Sequence, residues 1–221
     1  MTETRSRIIL VDDHPIVREG LRRLLEHKAG GEMEVCAEAA GSQDALALIE
    51  QTAPDMAIVD VFLQGADGIE LIKRIRCRWE SLGILVLSMH DEQLYAERAL
   101  QAGANGYIMK KAPSDELLKA IRTVLAGGSY VSEAVLSRIV RKLREGRGPV
   151  SSGVDVLSDR ELEVFRLLGH AVTTRGVADE LRVSVKTVET YLARIREKLG
   201  LRTMNEVICH AVQWVNSDTR G

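Results

Sequence analysis

The 221-residue chain has little cysteine, no long apolar run and almost no net charge, and each shortage removes a class of protein. Its three cysteines, Cys36, Cys77 and Cys209, stand far apart with no C-x-x-C spacing. That excludes a disulfide-framed scaffold and a cysteine zinc site, and reads as reduced thiols in a cytoplasmic setting. The longest apolar stretches, near 8–11, 56–63 and 83–87, fall well short of the roughly 20 residues of a membrane-spanning helix. The first of them is followed at once by Asp12-Asp13, so the opening residues make a poor secretion signal. No internal repeat and no glycine-rich phosphate loop is present. What remains, 45% hydrophobic and 28% charged residues, is the composition of an ordinary globular chain with room for one or two domains.

The net charge of −2 hides an uneven distribution. Residues 1–130 carry 15 basic and 20 acidic groups, residues 131–154 carry 5 and 2, and residues 155–221 carry 10 of each. An acidic first part, a basic connection and a balanced last part point to two modules with different tasks.

Short aliphatic runs at Arg7–Val11, Glu34–Ala37, Met56–Phe62, Ile84–Ser88 and Gly106–Met109 alternate with helical patterns at Val17–His27, Asp44–Gln51, Ile69–Trp79, Leu94–Ala102 and Glu116–Leu125. Five strand patterns alternating with five helical ones predict an α/β fold, a doubly wound five-stranded parallel sheet covered on both faces. Gly127-Gly128 ends the fifth helix, Ser132–Leu143 is a further helical pattern with basic residues, and Glu145–Gly153 has the composition of a linker. Beyond Val156 the pattern is all helical. Ser158 and Glu161 form a capping box with Leu157 and Leu162 as a staple, and helices follow to about Leu168, over Thr174–Leu181, over Val185–Leu199 and over Met204–Val215. The chain thus divides into an α/β domain over 1–128, a helix and linker over 129–154, and a small all-α four-helix domain over 155–221.

In a parallel sheet ligands sit at the carboxyl ends of the strands. Asp12-Asp13, Asp60, Ser88 and Lys110 follow strands one, three, four and five, so they converge on one edge. Three carboxylates in one pocket repel unless a cation neutralises them, and hard oxygen ligands suit Mg²⁺. A lysine and a hydroxyl beside them hold phosphoryl oxygens, and a carboxylate next to Mg²⁺ accepts a phosphoryl group. Taken singly, an Asp-Asp pair is more often a cap of the helix that follows, and Asp12 and Asp13 can be read that way.

In the helical module Val188, Leu192, Ile195 and Leu199 make one apolar stripe, with Lys186, Thr190, Ala193 and Glu197 opposite and Glu189 and Arg194 flanking. Between Lys186 and Arg202 there are five basic and two acidic residues. A basic helix after a tight turn and a shorter helix fits a helix-turn-helix reading the major groove of double-stranded DNA. The same pattern fits a solvated surface helix.

Two resemblances join these observations. Val11-Asp12-Asp13-His14-Pro15, Asp60 followed by Gly68, Ser88, and Gly106-Tyr107-Ile108-Met109-Lys110 resemble the receiver domain of response regulators, over about residues 6–127. Leu157-Ser158-x-Arg160-Glu161-x-Glu163-Val164, the run from Val177-Ala178 to Thr187-Val188, and Tyr191-x-x-x-Ile195-x-x-Lys198-Leu199-Gly200 resemble a LuxR-type (NarL/FixJ-like) DNA-binding domain, over about residues 155–215. The first resemblance implies a CheY-like fold in which a histidine kinase phosphorylates Asp60. It implies Mg²⁺ held by Asp13, Asp60 and the Phe62 carbonyl, with Asp12 assisting through water. Ser88 and Lys110 would hold the phosphoryl group, and Tyr107 would follow Ser88 as the switch aromatic. The second implies that Lys186, Thr187, Thr190, Arg194 and Lys198 face DNA and that Glu189 contacts a base or tunes selectivity. Together they imply a phosphorylation-controlled transcription factor of a two-component system, cytoplasmic, not an enzyme beyond its own phosphoryl chemistry, and a homodimer when phosphorylated.

The sequence departs from the family patterns at Leu63-Gln64, where Met-Pro is usual, at His170-Ala171-Val172, where an acidic-Gly-Leu turn is usual, and at Gly176 inside a helix. Phe62 and His90 each stand two residues beyond a pocket residue, placed to control water access. Three other readings compete. A Mg²⁺-dependent phosphohydrolase needs an acid/base that Asp60-Val61-Phe62 lacks. A flavodoxin-like cofactor binder does not suit an acidic edge. A protein-interaction adaptor would leave the helical tail without a task.

Overall fold

A computed structural model of the chain describes residues 5–63, 66–144 and 153–218. The chain forms two compact units that divide between Gly148 and Pro149. Most of the linker assigned to Glu145–Gly153, together with Gln64 and Gly65, lies outside the described residues.

The first unit alternates strands and helices: β1 (Ser6–Val11), α1 (Pro15–Lys28), β2 (Met33–Ala39), α2 (Ser42–Thr52) and β3 (Met56–Val59). After β3 come β4 (Phe62–Leu63), β5 (Ala66–Asp67), α3 (Gly68–Arg78), β6 (Gly83–Ser88), α4 (Glu92–Gln101), β7 (Gly106–Met109), α5 (Ser114–Leu125) and α6 (Glu133–Arg144). Five strands pair in parallel in the order β2-β1-β3-β6-β7. With right-handed crossovers that order places α1 and α5 on one face and α2 to α4 on the other. Ile8, Leu10, Met56, Ile58, Leu85, Leu87 and Ile108 pack against Leu21 and Leu25 of α1 and Leu117, Leu118, Ile121 and Val124 of α5. The alternate residues Ile9, Val11, Ala57, Val59, Ile84 and Val86 are equally buried on the opposite face. Strands buried on both faces have no need of polar alternation, which is why they read as continuous apolar runs.

The register fixes the functional edge. Val11 pairs with Val59, Val59 with Val86, and Ser88 with Met109. Asp12, Asp60, Ser88 and Lys110 therefore leave the sheet within one or two residues of a common line.

The third strand is shorter than its apolar run suggests. It ends at Val59, and Phe62 belongs instead to a two-residue antiparallel ladder in which Phe62 faces Asp67 and Leu63 faces Ala66. Local bonds take over where the flanking strands end: Asp60 Oδ1 accepts the Phe62 N–H at 3.2 Å, and Gly68 N–H donates to Val61 O at 2.8 Å. A Cβ on Gly68 would lie 2.3 Å from Asp60 O and 2.6 Å from Val61 Cα, so the bend requires glycine there.

α6 is attached to this unit rather than free. Val135 is buried, Ser132 Oγ donates to Glu92 at 2.8 Å, and Arg138 pairs with Glu97 at 3.3 Å. Among the basic residues of this helix, Arg138 has Glu97 of α4 standing opposite it.

The second unit holds a 3₁₀ turn (Val154–Val156) and four helices, α7 (Asp159–Gly169), α8 (Thr174–Glu180), α9 (Val185–Lys198) and α10 (Met204–Asp218). The capping box of Ser158 and Glu161 is formed. Leu162, Phe165, Val177, Val188, Leu192, Ile195, Val207 and Ala211 are its buried core, with Trp214 tilted against Phe165 at 5.9 Å. Gly169 lets α7 and α10 approach closely, since a Cβ there would lie 2.6 Å from Ala211 O. Gly176 also has a packing reason. Its Cβ would lie 2.9 Å from Val172 Cγ1, so the glycine accommodates the branched side chain at a helix-propensity cost of about 1 kcal/mol.

Three helices of this unit end in the same paired motif. Val172 N–H reaches Leu167 O at 3.1 Å and Ala171 N–H reaches Leu168 O at 2.9 Å; Val183 to Ala178 and Leu201 to Arg196, both 2.9 Å, repeat the longer bond after α8 and α9. The residue after the cap is left-handed each time, at Ala171 (φ 60°), Arg182 (φ 53°) and Gly200 (φ 65°), yet only the last is glycine. A Cβ in that region costs about 1 kcal/mol. Ala171→Gly is therefore expected to stabilise this unit by about 1 kcal/mol, and Gly200→Ala to destabilise it by about the same. Urea unfolding followed by Trp214 emission in a Trp79→Phe background measures both.

Candidate functional site

The acidic edge is a real pocket. Carboxylate oxygens of Asp12, Asp13 and Asp60 and a ring nitrogen of His14 all lie within 4.8 Å of one another. Lys110 Nζ sits among them, 2.5 Å from Asp12 Oδ2 and 2.6 Å from Asp60 Oδ2. Asp12 and Asp60 are 3% and 5% exposed, so this is a cluster shielded from water rather than a solvated surface patch. The reading of the Asp pair as helix caps does not hold. The N-cap of α1 is His14, which makes no side-chain cap bond, and Asp12 Oδ1 instead accepts the His14 N–H at 2.8 Å.

Electrostatics leave the pocket short of positive charge. Burial pushes the Asp60 carboxyl above its ordinary value, and the adjacent Lys110 only partly opposes that. Burial also works against the Lys110 charge, but Asp60 and Asp12 beside it hold its pKa above that of a free lysine. One ammonium faces three carboxyl groups. Asp13 Oδ1 is buried with no hydrogen-bond partner; His14 Nδ1 lies 2.8 Å away, outside hydrogen-bond geometry. An orphaned, buried carboxylate oxygen beside two further carboxylates is the donor set of a hard divalent cation. The residues present fit such an ion.

Ser88 and Tyr107 both bond the backbone of His90. Ser88 is fully buried and its Oγ accepts the His90 N–H at 3.2 Å, while the Tyr107 hydroxyl donates to His90 O at 2.9 Å. Tyr107 is buried at 1% exposure, with its phenol pushed well above its ordinary pKa chiefly by that burial. Phe62 stacks on His90 with centroids 3.7 Å apart and meets Tyr95 edge-on at 5.1 Å. The structure thus brings Asp12, Asp60 and Lys110 into direct contact, sets Asp13 within 4.8 Å of the two other carboxylates, and ties Phe62 to Asp60 through its N–H. His14 is the member the sequence reading passed over, although it directly follows the aspartates.

In the second unit α8, a turn at 181–184 and α9 form a helix-turn-helix. The Ser184 hydroxyl caps α9 by accepting from Thr187 N–H at 3.0 Å. Val188, Leu192 and Ile195 are buried, while Lys186, Glu189, Thr190 and Arg194 are exposed together on the other side. Three of the residues expected to face DNA are engaged within the unit, the Thr190 hydroxyl donating to Lys186 O at 2.9 Å. Thr187 Oγ1 is 2.8 Å from Ser184 Oγ, and Lys198 Nζ is 2.6 Å from the buried Glu161 Oε2. Among the described residues no helix is long and apolar enough to cross a membrane.

Comparison with known proteins assigns both units. Residues 8–122 match the response regulator receiver domain, and residues 155–211 match the bacterial regulatory proteins of the luxR family. The transcriptional activator protein ExaE of Pseudomonas putida is 34% identical over 206 residues, which is 93% of this chain and 95% of that protein. The oxygen regulatory protein NreC of Staphylococcus aureus MRSA252 is 34% identical over 212 residues, 94% of this chain and 97% of that one. Among solved structures, RcsB of Salmonella enterica serovar Typhimurium, bound to promoter rprA in the presence of a BeF3⁻ phosphomimetic, matches with a TM-score of 0.58 at 27% identity, covering 95% and 99% of the two chains.

Proposed function

The chain belongs to the response regulators that join a receiver domain to a LuxR-type DNA-binding domain, and on that footing we propose that Asp60 is its phosphoacceptor and that phosphorylation controls its binding to DNA. As a transcription regulator it is not a classical enzyme, and the receiver domain implies a histidine kinase as partner. The observation that carries the reading is Lys110 Nζ bridging Asp12 and Asp60 inside a buried carboxylate cluster.

An Asp60 carboxylate oxygen attacks the phosphorus of a phosphohistidine. A carboxyl O–P bond forms, the P–N bond breaks, and the leaving imidazole nitrogen keeps the bonding pair and takes up a proton. Asp13, Asp60 and the Phe62 carbonyl would hold Mg²⁺, with Asp12 assisting through water. When bound, the ion offsets the charge of the carboxylates and of the incoming phosphoryl oxygens. Lys110 then exchanges a carboxylate oxygen for a phosphoryl oxygen at little cost in geometry, and Ser88 turns its hydroxyl to a second one. Because Ser88 Oγ bonds the His90 N–H and the Tyr107 hydroxyl bonds the His90 carbonyl, a movement of Ser88 shifts the anchor of Tyr107. Small-molecule phosphate hydrolysis and anionic cofactor binding lack support beside a receiver and a DNA-binding domain.

On the DNA side Lys186, Thr187, Glu189, Thr190 and Arg194 would meet the major groove and its phosphates. Lys198, paired with Glu161, would contribute through position as much as through contact. Phosphorylation favours a homodimer, which places two recognition helices on two half-sites. The site of action is the cytoplasm, where the DNA partner is. Sedimentation of wild type and Asp60→Ala with Mg²⁺ and beryllofluoride tests this: a monomer-to-dimer shift is expected in wild type alone. Equal behaviour of the two proteins would overturn Asp60 as the switch.

A further inference from the structure

Asp12 and Asp13 lie in the short connection between Val11, the last residue of β1, and Pro15, the first of α1. Few bonds from within that connection fix it. The Asp12 N–H donates to Ala39 O at 3.1 Å, which settles the peptide before Asp12. The peptide after it, linking Asp12 to Asp13, is held from outside the pocket: its carbonyl accepts from Arg18 Nη1 at 2.5 Å. The same guanidinium donates through Nε to Glu38 Oε2 at 3.0 Å. Glu38, near the end of β2, is fixed in turn by Arg22, whose Nε donates to Oε1 at 2.8 Å. Arg18 and Glu38 are only 16% and 20% exposed, so the pair is partly shielded from competing water and salt.

A planar guanidinium bonded on two edges has little freedom to turn. It therefore fixes the plane of the Asp12–Asp13 peptide, and that plane decides where the Asp13 side chain departs from the backbone. Asp13 Oδ1 is the buried oxygen without a hydrogen-bond partner, and its neighbour at that end is the His14 ring, with Nδ1 at 2.8 Å.

We propose that Arg18, aligned by Glu38, is a positioning residue that holds the Asp12 carbonyl so that the Asp13 carboxylate is presented to the divalent cation. The proposal rests on the reading of the acidic cluster as a Mg²⁺ site. Arg18 is not among the residues that would hold the ion or the phosphoryl group; it acts through the backbone between two that would. Its charge pulls the other way, because a cationic side chain near a cation site weakens binding by repulsion. The two effects have opposite signs, and the sign of the change separates them.

The test is isothermal titration of MgCl₂ into the full chain, as wild type, Arg18→Gln, Arg18→Lys, Glu38→Gln and Asp13→Asn, with metal-free melting curves for each. Removing groups that orient a metal ligand without touching the metal typically weakens binding at least 10-fold. Arg18→Gln is expected to raise the Mg²⁺ dissociation constant roughly 10-fold. Arg18→Lys keeps the charge but cannot span Asp12 O and Glu38 with one planar group, so it should also weaken binding. Glu38→Gln should weaken it less, and Asp13→Asn should abolish it. Unchanged or tighter Mg²⁺ binding by Arg18→Gln overturns the proposal in favour of a purely structural or electrostatic role. If Arg18→Gln does not fold, Arg18→Lys and Glu38→Gln decide by the same criterion. A wild-type protein that binds no Mg²⁺ overturns the pocket reading itself and the proposal with it, a result distinct from a wild type that binds and an Arg18→Gln variant that binds equally well.

Discussion

Incubated with acetyl phosphate and Mg²⁺, the wild-type chain is expected to take up one phosphoryl group, and Asp60→Asn to take up none that intact-mass spectrometry detects. Removing a nucleophile outright costs on the order of 10³-fold or more in rate, because nothing left in the site replaces the bond it forms. The pocket holds two other carboxylates, so the result is not trivial. Asp12 is as buried as Asp60 and bonds the same ammonium. Their support is alike, since each N–H bonds a neighbouring strand and each Oδ1 accepts the N–H two residues on; what separates them is position, Asp60 following the central strand and Asp12 the one beside it. Asp60 leaves the sheet between β1 and β6, its N–H bonds Val11 O at 2.8 Å, and its Oδ1 is steadied by the Phe62 N–H, which leaves Oδ2 toward Lys110. Asp12→Asn should slow the reaction without stopping it. Phosphoryl uptake by Asp60→Asn at the wild-type rate would move the phosphoacceptor elsewhere.

The second large effect is expected at Gly68. The first turn of α3 lies directly against the backbone of the loop that carries Asp60, where a Cβ would stand 2.3 Å from Asp60 O and 2.6 Å from both Val61 Cα and Val61 O. Backbone atoms cannot swing aside as a flexible side chain does. Gly68→Ala must therefore displace α3 or the loop, and it breaks the Gly68 N–H to Val61 O bond in either case. Overpacking of this kind costs about 3 kcal/mol. For a domain of this size that is a fall of roughly 10 °C in the melting temperature. Since the displaced atoms carry Asp60, phosphoryl uptake should fall with it. A variant that melts with the wild type would show that the loop yields freely.

The order of elements was legible because each carries a signal that survives without neighbours. The strands are apolar on both faces, the helices show one stripe, and Ser158 with Glu161 is a cap that needs only its own four residues. The acidic cluster was legible for a related reason: in a parallel sheet the chain order alone brings the strand ends together. What escaped depends on partners distant in sequence. The run Met56–Phe62 hides the point at which the strand loses its neighbours, so the short ladder with Ala66–Asp67 went unseen. Lys198 looks like a free basic residue until α7 places Glu161 beside it. Arg138 pairs with a residue 41 positions away. The left-handed residues Ala171 and Arg182 carry no mark, because the glycine that announces such a turn is present only at Gly200.

Those unmarked turns bear on how the regulator can evolve. Helix ends that would be more stable with glycine mean that the DNA-reading unit lies below the stability its own backbone allows. Ala→Gly needs a single nucleotide change. Most substitutions destabilise, typically by about 1 kcal/mol, which is about what that one step at Ala171 returns. On the proposed function, a change on the exposed face of α9 that alters base preference and weakens packing can be offset by a change at the turn between α7 and α8, outside α9. Operator choice and structural integrity are in that sense separately adjustable within sixty residues of chain.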